Sequence, residues 1–215
     1  HLATPPEPST AFVPKQHLDR VPHLLPISRA SGGDAWIIEN QPLLHTGQNV
    51  TGPDKVKFAF GSYTTKDGQP SPGTGGGLQR LKEQDRDGID AEILFNPLFA
   101  IQVIQGLLPD KDAYNAMVHG YNEWLVEDYC SVAPDRLIGN AFIPISGIDA
   151  AIAELEYAKS AGLRSVQFAQ FPNGTRMSKP EDDRFWAKAL ELGIALSPHV
   201  RFGSDASHIT SARLD

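Results

Sequence analysis

Cysteine is nearly absent from this sequence. Its 215 residues contain only Cys130, so neither an internal disulfide nor a cysteine metal cluster can form. Cys130 is expected on the inner face of a helix, as a small hydrophobe. A basic stripe is also missing. Lys and Arg number 19 against 26 Asp and Glu, for a net charge of -7, which argues against a nucleic-acid partner. No apolar run approaches the roughly 20 residues of a membrane helix. The run Gly75-Gly76-Gly77 is not followed by Gly-Lys-Ser/Thr and no strand feeds it, so it is not a phosphate loop. The N-terminus shows no signal pattern and opens on His1. The expectation is a segment that begins partway through a longer protein, located in the cytosol.

What remains is enough for one sizeable domain or part of a larger one, with 40% hydrophobic and 21% charged residues. Residues 1–29 are proline-rich without periodicity and are expected to form an ordered loop or extended arm. From Ser31 to Gly77 the composition shifts to Gly, Pro, Thr and Asp. Short strands are expected there at 35–39 and 56–60, with Asn40, Gln41 and Pro42 turning a hairpin. A helix follows over Leu78 to Arg86, with Leu78 and Leu81 inside, Gln84 outside and Gly88 as its stop. The spacing then predicts a strand over 90–96, a helix from about Asp110 to Val132, a strand over 136–143, and a helix capped by Asp149 and stopped at Gly162. The stretch from Gly162 to Val200 reads as strand, loop, helix, Gly stop and strand. Its length of about 30 residues suits a parallel strand pair with a helical crossover. It delivers His199 to a strand end.

Strands at 90–96, 136–143, 164–169 and 194–199 alternating with helices imply an α/β fold with a parallel sheet. A doubly wound open sheet and a (β/α)8 barrel both fit this alternation. Side-chain alternation favours the barrel. Ile194, Leu196, Val166, Phe168, Ile93 and Phe95 form a bulky face for the helices. Ala195, Ser197, His199, Ser165, Gln167, Ala169, Glu92, Leu94 and Asn96 form a smaller, more polar face for an interior.

The segments Leu-Lys-Glu-Gln-Asp-Arg-Asp-Gly-Ile-Asp-Ala-Glu-Ile-Leu-Phe (81–95), Tyr-Asn-Glu-Trp-Leu (121–125), Ala-Pro-Asp-Arg-Leu-Ile-Gly (133–139) and Ser-Pro-His (197–199) resemble the metal-dependent amidohydrolase-related family. The likeness covers most of the chain after residue 77, plus His1. It implies a partial (β/α)8 TIM barrel, from about the end of strand one to strand five, carrying a β-hairpin-containing insertion. Residues 1–215 would form one incomplete barrel domain, with 31–77 an inserted lid or oligomer contact. It also implies a divalent metal, with zinc expected, at the C-terminal mouth. His1 matches the histidine of the family's strand-one motif, and His199 the ligand histidine ending strand five. The family's later ligands have no counterpart, and Asp205 and His208 are given no such role.

The resemblance further implies a hydrolase or decarboxylase acting on a small carboxylic or carbonyl substrate, in a protein that is homo-oligomeric when complete. The isolated segment is expected to be inactive. A non-catalytic binding or regulatory barrel is the alternative. Asn96 and Gln167 are candidate substrate contacts, and Arg201 is a candidate clamp for a substrate carboxylate. Trp36 and its neighbouring strands could form a flap over the site. His17, His23, His45 and His119 are expected to be structural or solvent-facing, with no carboxylate evident opposite His119.

Overall fold

A computed structural model of the protein describes residues 7–26, 34–39, 41–43, 65, 67–95 and 108–199. The expected strand at 56–60 lies outside them. The N-terminal stretch is more ordered than an arm, with 3-10 helices at Glu7–Phe12 and Lys15–Arg20. It continues into an antiparallel sheet of β1 (His23–Pro26), β2 (Asp34–Ile38) and β3 (Gln41–Leu43). A hairpin forms there, but Gln41 and Pro42, expected in its turn, already belong to β3, opposite Ile38 and Ile37. Ile38 is fully buried in a cluster with Val13, Leu108, Tyr114, Met117, Val118, Phe142 and Ile145. Arg20 ties the same region together through ion pairs of 2.6 Å to both Glu39 and Asp110.

The remainder alternates helix and strand: α1 (Gly77–Asp87), β4 (Glu92–Leu94), α2 (Lys111–Trp124), β5 (Leu137–Gly139), β6 (Ala141–Phe142), α3 (Ile148–Ser160), β7 (Ser165–Phe168), α4 (Asp183–Leu192) and β8 (Ala195–Pro198). Gly88 and Gly193 end α1 and α4 in the left-handed conformation, which glycine adopts without a steric penalty. Asp110 caps α2 by accepting from the backbone N–H groups of Asp112 and Ala113. A π-helical stretch, Leu125–Cys130, continues α2, and Cys130 is buried there as expected.

All pairings among β4 to β8 are parallel: β4 with β5, β6 with β7, and β7 with β8. Among the described residues, neighbouring strands of these two sheets follow chain order. The single strand expected at 136–143 is two short ones, separated at Asn140. The first half bonds toward β4 and the second toward β7. Among the described residues, the edge of β6 that faces away from β7 has no strand beside it. Asn122 of α2 takes that place: its amide accepts from Phe142 N–H at 2.8 Å and donates to Phe142 C=O at 2.8 Å. Backbone polar groups buried at such an edge must be paired, and here one side chain stands in for a strand.

Three expectations are corrected. Leu78 is 66% exposed and Gln84 only 1%. Arg80 is drawn to Glu92 of β4 and Gly77 packs on the Tyr129 carbonyl, so positions 77, 81 and 84 form the inner line of α1. Asp149 does not cap α3. The helix starts a residue earlier, after Gly147, because Ile148 is buried; Asp149 instead pairs with Arg184 at 2.8 Å.

The third correction is that the faces of β4 are reversed. Leu94 packs against Trp124, Leu125, Tyr129, Cys130 and Leu137, and Glu92 points to Arg80, while Ile93 is 54% exposed. An outward Glu92 is tolerated because Arg80 pairs with it. Burial pushes its pKa up, but the Arg80 hydrogen bond and charge outweigh that and hold it below the usual glutamate value.

On β7 the alternation runs as expected, and β6 follows it. Ala141, Ile143, Val166 and Phe168 join Ala151, Leu155 and Ala158 of α3 and Phe185 and Ala189 of α4 in one core. Trp186 closes it, 5.8 Å from Phe168 and 5.0 Å from Phe185 between ring centroids.

Candidate active-site face

Parallel pairing gathers the C-terminal ends of the strands at one edge. Phe95 follows β4, Ala169 follows β7 and His199 follows β8. The His199 N–H donates to the Phe168 carbonyl at 3.0 Å, so its backbone is still held by the ladder where its side chain leaves the strand. Its ring lies 5.0 Å from that of Phe95, centroid to centroid, tilted by 51°. Burial holds the His199 pKa below the usual histidine value. The neutral imidazole is therefore favoured, the form whose nitrogen lone pair can bind a metal. Phe95, assigned from sequence to the helix-facing side, instead forms one wall of this site. The reversed faces of β4 account for the change.

Below His199 on the same face lies Ser197, in register with Gln167 of β7, itself in register with Phe142 of β6. Gln167 is completely buried, and neither its amide nitrogen nor its amide oxygen has a hydrogen-bond partner. Asn140, at the junction of β5 and β6, is buried and unpaired in the same way. The sequence reading missed Asn140. Period-two alternation from Phe142 already places it on this face, which was the signal available.

Of the other candidates, His1, Asn96, Arg201, Asp205 and His208 lie outside the described residues, as does His45. Trp36 belongs to β2. Among the described residues no group of three or more His, Cys, Asp or Glu side chains could hold a metal ion. His199 thus supplies one donor of suitable chemistry, and further ligands must come from elsewhere.

His119 does have a carboxylate opposite it. Glu154 of α3 pairs with its Nδ1 at 3.0 Å and also accepts from Asn122 at 2.8 Å, and the Tyr157 ring lies 4.5 Å from the imidazole ring, centroid to centroid. The partner was hidden because the two residues are 35 apart in sequence and meet only when α2 and α3 pack. The Glu154 hydrogen bond raises the His119 pKa. A cavity of about 420 Å³ lies at the opposite end of the sheet, lined by Cys130, Leu137, Gly139, Leu163 and Arg164 among others. Burial pushes the Cys130 thiol up to about 12, so it is inert as a nucleophile. No helix among the described residues is long and apolar enough to cross a membrane.

Parallel βα units with a neutral histidine at the C-terminal edge define a class of α/β proteins that build their sites at strand ends. The sequence model of the amidohydrolase family matches residues 78–214, more than half of the chain, and the chain belongs to that family. No curated protein matches it.

Several solved structures do match. An amidohydrolase from Mycobacterium avium subsp. paratuberculosis is 18% identical with a TM-score of 0.67, over 97% of this chain and 57% of that one. A 2,6-dihydroxybenzoate decarboxylase from Rhizobium is 24% identical with a TM-score of 0.50, over 60% and 40%. A 5-carboxyvanillate decarboxylase from Novosphingobium aromaticivorans, with bound manganese and 3-methoxy-4-hydroxy-5-nitrobenzoic acid, is 22% identical with a TM-score of 0.52, over 60% and 36%. At these identities the likeness concerns the fold. The chain spans between 36% and 57% of the length of these structures.

Proposed function

We propose that this protein is a metal-dependent hydrolase or decarboxylase acting on a small carboxylic or carbonyl substrate. In this reading its parallel sheet is part of a (β/α)8 barrel, from about the end of strand one to strand five. The observation that carries the reading is the placing of His199 directly after β8, at the C-terminal end of a parallel strand, with its backbone N–H still bonded to the Phe168 carbonyl. That is where barrels of this kind place their chemistry. Family membership supports it, and so does the manganese bound in the 5-carboxyvanillate decarboxylase structure of similar fold.

His199 and His1 would hold the metal, with zinc the first candidate because imidazole nitrogen suits it. When bound, the metal supplies Lewis acidity toward a carboxylate or carbonyl group and lowers the pKa of a coordinated water. The chain's own residues bind and orient. Phe95 presents an apolar wall beside His199. Asn96 and Gln167 would contact the substrate, and Arg201 would hold a carboxylate. The region 31–77 would act as a lid or oligomer contact in a cytosolic homo-oligomer.

The test is metal analysis of the protein expressed with its full reading frame, after dialysis against Zn²⁺ or Mn²⁺. It is paired with assays of CO₂ release from aromatic and unsaturated acids and of hydrolysis. Stoichiometric metal that is lost in His199→Ala, together with turnover, supports the proposal. Wild-type protein that binds no metal refutes it and favours a non-catalytic binding protein.

A further inference from the structure

Some buried polar side chains in this protein are paired, while Gln84 of α1 and the Tyr121 hydroxyl of α2 are buried without a partner. Asp182 accepts from the backbone N–H groups of Asn173 and Lys179 and from the Asn173 side chain. Asn122 bonds both Phe142 and Glu154. Among the described residues, Gln167 and Asn140 are the unpaired amides on the face of the sheet that carries His199. Each is fully buried, and all four of their side-chain polar atoms are unpaired. Leaving a buried donor or acceptor unsatisfied costs roughly 1–3 kcal/mol. Asn140, at the junction of β5 and β6 two residues before the register partner of Gln167, and Gln167 on the neighbouring β7 need a partner that the described protein atoms do not supply.

We propose that Asn140 and Gln167 form a binding position for a neutral hydroxyl oxygen, inside the sheet and beneath His199. Gln167 is in register with Ser197, two residues before His199, which sets it about 6–7 Å lower along the strands. An amide offers donors from its nitrogen and an acceptor at its oxygen. A hydroxyl group answers both, accepting from N–H and donating to C=O. An ionised group does not fit, because the buried charged side chains among the described residues, Glu154 and Asp182, are both engaged in the helix layer and its loop. A charge placed between the amides would be left uncompensated. The hydroxyl oxygen can come from a resident water or from a hydroxyl-bearing ligand, and the chemistry at the amides is the same.

The experiment uses the protein with its full reading frame. A high-resolution crystal structure is determined without ligand and again with phenol. Calorimetric titration then compares phenol with anisole, which has the same shape near the oxygen but cannot donate. The site predicts either an ordered water bonded to the two amides that phenol leaves in place, or the phenol oxygen at that position. In the second case phenol binds about tenfold or more tightly than anisole, and the preference disappears in Gln167→Leu and in Asn140→Leu.

Both amides bonded only to protein atoms would overturn the proposal, as would dry amides with phenol and anisole bound equally. A phenol preference that survives both substitutions would do the same. Metal content measured in the same variants should equal wild type. That separates the two readings: wild-type protein without metal defeats the proposed activity and leaves the amide site standing, and the converse also holds.

Discussion

Replacing Asn122 with leucine should be among the most damaging single changes in the helix layer. The two side chains are similar in size, so the cavity term is small. What is lost is specific. Phe142 N–H loses its acceptor, Phe142 C=O its donor, and Glu154 one of its partners, all in a buried setting. At roughly 1–3 kcal/mol for each orphaned backbone group, the two together cost about 2–6 kcal/mol. The apolar gain from the leucine offsets part of that, leaving a net loss of about 3 kcal/mol. For a protein of this size, such a loss lowers the melting temperature by about 6–12 °C. Urea denaturation followed by far-UV circular dichroism reads the same change as a shift in midpoint at constant slope. Asn122→Asp adds a second test. It keeps the acceptor for Phe142 N–H, loses both donated bonds, and sets a second carboxylate against Glu154. Its deficit should therefore shrink as pH falls. If Asn122→Leu lies within about 0.5 kcal/mol of wild type, the edge of β6 is satisfied by something other than this amide, and the reasoning fails.

Other outcomes follow from the same geometry. His119 has a raised pKa in the folded protein, so its pairing with Glu154 stabilises fully below the unfolded value of about 6.5 and is lost as pH rises through the folded value. The stability gap between wild type and His119→Ala should therefore be largest near pH 5–6 and close at alkaline pH, as followed by thermal melts across pH. His199 is shifted the other way. Metal uptake through its neutral ring should persist somewhat below pH 6.5 and fall as pH drops through the lowered value, read by metal analysis after equilibration at each pH. A methyl group at Gly77 would sit 2.3 Å from the Tyr129 carbonyl, whereas one at Gly76 would meet nothing within 4 Å. Gly77→Ala should thus cost about 1–3 kcal/mol and Gly76→Ala almost nothing, by denaturant titration of the two variants side by side.

The alternation of elements was legible in the sequence because it depends on local periodicity and punctuation. Apolar spacing marks α2 and α4, Gly88 and Gly193 mark stops, and the strand pattern alone sets His199 at a strand end. On β7, period two also sorted the faces correctly, since the helix-facing positions there are simply the large apolar ones. Tertiary structure decided what depends on partners distant in the chain. Glu92 of β4 could face the helices only because Arg80 was there to pair with it, and that reversal placed Phe95 beside His199. The strand expected at 136–143 divided at Asn140 because its two halves bond to different neighbours, and only the packing of α2 brought Asn122 to the edge so exposed. Glu154 reached His119 across 35 residues in the same way. The unpaired amides of Asn140 and Gln167 are of this second kind. A sequence can place two amides on one face by counting in twos, but whether a buried polar group has found its partner is a property of the folded neighbourhood alone.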